Sequence, residues 1–162
     1  MLKRVVKIFF FISLFIFFIP ITKEINIKTR TNKVIKENNI NSIYSGYIYI
    51  PKFDYKNLIK EGDDSLNENL VELTNFSNSI GSDMVILAGH NNKYVFNKIY
   101  SLDIYDQIVI SDFLVDYSYK VIEKKYIEVD DFSYFINDNS LYLITCTNNN
   151  QERFVIKAKR EF

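Results

Sequence analysis

Leu141-Tyr142-Leu143-Ile144-Thr145-Cys146-Thr147 is an apolar run that ends at the only cysteine of the chain. A polar connection follows, Asn148-Asn149-Asn150-Gln151-Glu152-Arg153, and then a second apolar run, Phe154-Val155-Ile156-Lys157-Ala158. Two β-branched and aromatic runs around an Asn-rich connection read as two strands joined by a loop. The only histidine, His90, closes another apolar run, Met84-Val85-Ile86-Leu87-Ala88-Gly89. A thiol, an imidazole and a guanidinium at strand ends form a set of groups suited to acyl transfer.

Working outward from these runs, Gln107–Ser111 and Tyr117–Val129 read as strands, the second long and bent. Asp130–Phe135 has the pattern of a capped helical turn. Val95, Phe96, Ile99 and Leu102 have the spacing of a short helix. Gly46-Tyr47-Ile48-Tyr49-Ile50-Pro51 predicts a first strand ended by proline. Asp54–Glu61 is ambiguous, Gly62-Asp63-Asp64 marks a turn, Leu66–Leu73 is a short helix or an irregular edge, and Asn75–Ser82 is a loop. Short strands at irregular spacing with little helix predict a mainly β body, an antiparallel or mixed barrel or sandwich.

The 162 residues suffice for one modest domain plus a tail, and 48% hydrophobic content can fill its core. The formal net charge is zero, so no bulk basic field draws the body onto nucleic acid. One cysteine makes no internal disulfide and is either a reactive thiol or a small buried hydrophobe. Ile8–Ile21 is almost wholly apolar, and from Val5 the run approaches the lower limit of about 17 residues for a membrane span. No small-x-small site follows it, so an uncleaved signal anchor is expected over residues 1–22 rather than a cleaved signal peptide. Lysines and arginines lie on both sides of this run, but a short N-terminal tail of this kind stays inside and places the body outside. Residues 23–45 read as a polar linker and 46–162 as the folded body.

Each reactive residue also has a bland reading. Cys146 could be a core cysteine, but it stands at the polar end of its strand, where a thiolate would meet solvent. His90 could be structural; following Ala88-Gly89 at a strand end it also suits an acid or base, with Gly89 permitting close backbone approach. Arg153 could be a solvated strand-end charge; antiparallel pairing across the short connection would return it to the thiol. Asp63, Asp64, Asp130 and Asp131 read as solvated turns rather than as a calcium site, and no metal or cofactor is called for.

These residues carry a resemblance. Leu141–Cys146 resembles the T-L-x-T-C signature of sortases, matching at Leu143, Thr145 and Cys146. Glu152-Arg153-Phe154-Val155-Ile156 is similar to the strand that bears the family's catalytic arginine, and Val85–His90 to its strand ending in A-G-H. Gly46–Lys52 resembles the opening G-x-I-x-I-P-K strand, Lys60-Glu61-Gly62 the glycine turn after the first strands, and Phe96–Ile99 with Leu102 and Asp106 the F-x-x-L…G-D segment, with Tyr105 where the pattern has glycine. The order is preserved from about Gly46 to Lys159.

The resemblance implies a closed eight-stranded β-barrel with short helices behind an N-terminal transmembrane helix. It implies that Cys146 attacks an LPXTG-like sorting signal and forms a thioester, with an amine of a cell-wall precursor or pilin as acceptor. His90 would be the acid and base, Arg153 the oxyanion or substrate clamp, and Thr145 would line the pocket with Ala88 and Gly89. It places the protein at the cell membrane, single-pass, with the catalytic domain outside. A hydrolase of the same peptides and a non-catalytic binding module are the rival readings. An L,D-transpeptidase is not, because its S-x-G-C-x-R spacing is missing.

Overall fold

In a computed structural model of the protein, the structure describes residues 44–62, 69–77, 79–148 and 151–161, with Thr29, Asn32 and Lys33 before them. The expected anchor, almost all of the linker, the Asp63-Asp64 pair and positions 149–150 lie outside the described residues. Among the described residues no helix is long and apolar enough to cross a membrane.

Eight strands close into a barrel: β1 (Gly46–Ile50), β2 (Tyr55–Glu61), β3 (Val71–Leu73), β4 (Met84–Ala88), β5 (Gln107–Ser111), β6 (Asp116–Glu128), β7 (Ser140–Cys146) and β8 (Glu152–Arg160). Their order around the barrel is β1-β2-β3-β4-β7-β8-β6-β5. The β2–β3 and β4–β7 pairs are parallel. Closure is the β1–β5 seam, Tyr47↔Ser111 to Tyr49↔Val109. At its end a Cβ on Gly46 would fall 1.9 Å from the Ser111 carbonyl oxygen, so only glycine fits.

Strand alternation sorts the side chains into two cores. Ile48, Ile50, Val85, Leu87, Leu141, Leu143, Phe154, Ile156 and Ala158 fill the barrel. The alternate residues Ile86, Tyr142 and Val155 form a second cluster on the outer face with Ile127, covered by Tyr134 and Phe135. The segment between β6 and β7 therefore lies over β4, β7 and β8. The Tyr142 hydroxyl pins it, accepting from the Ile136 N–H (3.0 Å) and donating to the Ile136 carbonyl (3.2 Å). Lys157, buried on the same outer row, pairs with Asp138 of this segment at 3.0 Å.

The predicted bend of the long strand is a register shift between Val121 and Glu123, where β6 leaves β5 to follow β8. The ambiguous stretch before Glu61 is strand from Tyr55, and of the stretch Leu66–Leu73 the described residues 69–73 carry the three-residue β3. The helix expected over Val95–Leu102 shrinks to a 3₁₀ turn, Asn97–Ser101. The reason is local: the Asn92 carboxamide accepts from the N–H groups of Tyr94 and Val95, and the Phe96 N–H bonds the His90 carbonyl instead of starting an α-helix. Asp131 caps the turn Phe132–Tyr134 by accepting from the Ser133 N–H.

Tyr105, which stands where glycine is usual, has φ = 73° with its ring 75% exposed. Left-handed backbone costs a residue with a Cβ about 1–2 kcal/mol. Tyr105→Gly is expected to stabilise the protein by about 0.5–1 kcal/mol after the extra entropy of an unfolded glycine is deducted. Urea denaturation reads this directly, and a lowered midpoint would mean that the ring contributes more packing than its exposure suggests.

Candidate active site

Cys146 is the last residue of β7, a free thiol at the half-buried end of the strand. Its partner across the β7–β8 ladder is Arg153. The Thr147 N–H donates to the Glu152 carbonyl at 3.2 Å, closing the loop one pair further on. Cys146 and Arg153 are therefore a non-hydrogen-bonded pair, the kind whose side chains lie closest, on one face of the sheet. Among the described residues the Arg153 guanidinium makes one long bond, Nη1 to the Glu152 carbonyl at 3.4 Å. No other described residue takes its remaining N–H groups.

His90 reaches this place through β4. The Gly89 N–H donates to the Ile144 carbonyl (3.0 Å), which continues the parallel ladder past the end of the strand. The chain then folds back sharply: the His90 carbonyl accepts from the N–H groups of Asn92 (2.8 Å) and Phe96 (3.0 Å). A Cβ on Gly89 would meet Val95 and Phe96 at 2.7 Å, so glycine lets this turn pack. His90 is exposed, and it lines one open groove of about 620 Å³ with Asn91, Asn92, Cys146, Thr147, Asn148 and Arg153. His90, distant in sequence, thus shares one groove with the Cys146–Arg153 hairpin.

Thr145 faces the other way. It is 2% exposed, and its hydroxyl donates to the Gly89 carbonyl at 2.8 Å. It sits behind the groove it was expected to line, tying the histidine turn to the cysteine strand. Gly89 is buried, and its role is likewise to shape the turn. Ala88 is half-exposed and pairs with Ile144 across β4–β7, one step from Cys146 on the outer row. Together they give an apolar floor leading away from the thiol. Thr145→Val should cost about 1–2 kcal/mol by orphaning the Gly89 carbonyl. Hydrogen exchange at Gly89–Asn92 should quicken; unchanged protection there would show that Thr145 does not hold the turn.

Tyr100 is a site neighbour that sequence reading missed. Its hydroxyl donates to the Cys146 carbonyl (3.2 Å) and accepts from the Asn91 carboxamide (3.4 Å). Its ring stacks on Phe154, with centroids 4.3 Å apart. Burial, then the nearby Tyr126 and Cys146, push its phenol above the usual tyrosine value, so it stays a neutral donor. It reads in sequence as one more apolar position. Among the described residues no group of three or more His, Cys, Asp or Glu side chains could hold a metal.

The Sortase domain model matches residues 48–161, which includes every strand from β2 to β8 and most of β1. The chain belongs to the sortase family. Family membership implies a cysteine transpeptidase. Among solved structures, sortase A of Listeria monocytogenes is 25% identical, covers 75% of this chain and 89% of its own, and superposes with a TM-score of 0.67. The sortase D5 transpeptidase of Clostridium perfringens is 23% identical over 83% of this chain and 95% of its own, with a TM-score of 0.69. The pilus-related sortase C of Group B Streptococcus is 22% identical over 75% and 69%, with a TM-score of 0.68. No curated protein matches by sequence. Sortases A, C and D fit almost equally well, so the likeness assigns the family and not a class within it. The closed eight-stranded barrel is the sortase fold.

Proposed function

We propose that this sortase cleaves an LPXTG-like sorting signal at Cys146 and transfers the acyl part to an amine of a cell-wall precursor or pilin. The observation that carries this is the register pairing Cys146 with Arg153, with His90 on the same groove. The Cys146 thiolate attacks the scissile carbonyl and a C–S bond forms. Arg153 donates hydrogen bonds to the oxyanion of the tetrahedral intermediate. The C–N bond breaks as His90 gives a proton to the leaving amine. The incoming amine then forms a new C–N bond, loses its proton to His90 and returns the thiolate. The apolar floor of Ile144 and Ala88 suits the hydrophobic part of such a signal. The apolar run over residues 1–22 would hold the chain in the cell membrane with the catalytic body outside.

Intact mass spectrometry of the protein mixed with LPXTG-like peptides tests this. A mass gain equal to the peptide's N-terminal fragment, absent in Cys146→Ala, is the expected result. Product release by water alone, with every amine tried, would make the protein a hydrolase. No adduct on a thiol inert to iodoacetamide would leave a binding module.

A further inference from the structure

The Gly89 N–H makes the last rung between the histidine turn and β7. Beyond it, the His90 carbonyl bonds only within its own turn, to the N–H groups of Asn92 and Phe96. Those bonds shape the turn but do not join it to the cysteine strand. Two side-chain bridges do. On one flank the buried Thr145 hydroxyl donates to the Gly89 carbonyl at 2.8 Å. On the other, the Asn91 carboxamide donates to the Tyr100 hydroxyl (3.4 Å), which in turn donates to the Cys146 carbonyl (3.2 Å). The residue before His90 is thus tied to the residue before Cys146, and the residue after His90 to Cys146 itself. Asn91 is fixed further, donating to the Asn148 carboxamide oxygen (3.3 Å) and accepting from the Asn97 carboxamide (3.2 Å). Tyr100 is fixed as well. Its ring stacks on Phe154 with centroids 4.3 Å apart, and its carbonyl accepts from the Lys124 ammonium at 3.0 Å. Holding the bridge therefore costs little further side-chain entropy.

We propose that Tyr100 is a positioning residue for the reaction, its hydroxyl holding His90 in place relative to Cys146 for the step in which the amine leaves. The inference rests on the transpeptidase reading above. Tyr100 acts through Asn91 and the Cys146 main chain, not on the reacting atoms. In the step it serves, the departing nitrogen keeps the C–N electron pair and takes the His90 proton. Attack by the Cys146 sulfur and stabilisation of the oxyanion by Arg153 do not pass through it. A general acid contributes about a hundredfold to ten-thousandfold, and a misplacement of about 1 Å forfeits much of that. Loss of one bridge of two should forfeit a part.

Two forms of one sorting peptide separate this role from a general loss of structure. The nitrogen of the amide needs a proton to leave, whereas a thioester at the same bond releases a thiolate without one. Both load Cys146 of the full chain with the same acyl fragment, read by single-turnover mass spectrometry. Tyr100→Phe keeps the ring and its stack and removes only the hydroxyl. It should acylate from the amide about tenfold more slowly, with the half-saturating peptide concentration within about twofold of the parent. From the thioester it should acylate within about twofold of the parent rate. Tyr126→Phe is the control: its exposed ring lies 5.1 Å from the same Phe154, and it should match the parent on both peptides. An amide rate equal to the parent's, or an equal slowing on both peptides, would overturn the positioning role while the acyl-enzyme stands. No adduct on the parent Cys146 from any LPXTG-like amide would overturn the transpeptidase reading, and the role of Tyr100 with it.

Discussion

Arg153→Lys is expected to lower the rate of thioester formation by about a hundredfold to a thousandfold, the range for loss of an oxyanion donor. Thermal stability should stay nearly unchanged. Lysine keeps the positive charge, so the substitution separates charge from geometry. The guanidinium presents a rigid fork of donors, whereas an ammonium on a flexible stem presents a point charge. The pairing with Cys146 fixes where that fork starts. Among the described residues its only hydrogen bond is to the Glu152 carbonyl, so no other described group depends on it. Single-turnover mass spectrometry of the acyl-enzyme gives the rate. A rate within fivefold of the parent would mean that Arg153 acts by its charge alone, and the oxyanion role would fall.

Asp138→Ala should destabilise the protein by about 2–3 kcal/mol. Removing one partner of a buried ion pair costs roughly 3–5 kcal/mol, reduced here because Asp138 keeps part of its side chain in water. What remains is Lys157, buried between β8 and its covering segment, its ammonium 5.6 Å from the centroid of the Tyr142 ring. Lys159 also bonds the Asp138 main-chain carbonyl. Burial pulls the Asp138 carboxyl upward. The nearby Ser140 hydroxyl, the hydrogen bond from Lys157 and the charges of Lys157 and Lys159 outweigh it and hold the carboxyl below the usual carboxylate range. A carboxyl with a lowered native pKa stabilises fully above its unfolded pKa of about 3.9 and loses that contribution as pH falls through the native value. The gap between parent and variant should thus be full at pH 7 and close below pH 4. Urea titrations at pH 7 and pH 3 measure it, and a gap of the same size at both would mean that lost packing, not the ion pair, sets the cost.

The meeting of Cys146, His90 and Arg153 on one groove was legible because the only cysteine and the only histidine stand at the ends of strongly apolar runs. The barrel was legible only in part. Alternation marks strands but does not say which edges meet, and the parallel β4–β7 pairing joins runs more than fifty residues apart. The direction of Thr145 was within reach: if Cys146 faces the groove, its neighbour must face the core. Tyr100 was not, since nothing local separates a phenol hydrogen-bonded to the Cys146 main chain from a core aromatic. Nor was the Asp138–Lys157 pair, because β8 reads as an ordinary strand until the segment over its outer face is known.

The hairpin that carries Cys146 and Arg153 closes with the Thr147–Glu152 bond, below the tip of its loop. Register beneath that bond is held by the two buried faces of β7 and β8, whatever the tip contains. The tip can therefore be lengthened or shortened without moving Cys146 relative to Arg153. Loop length and the Cys146–Arg153 register are thus mechanically uncoupled, which makes this loop a natural place for an insertion.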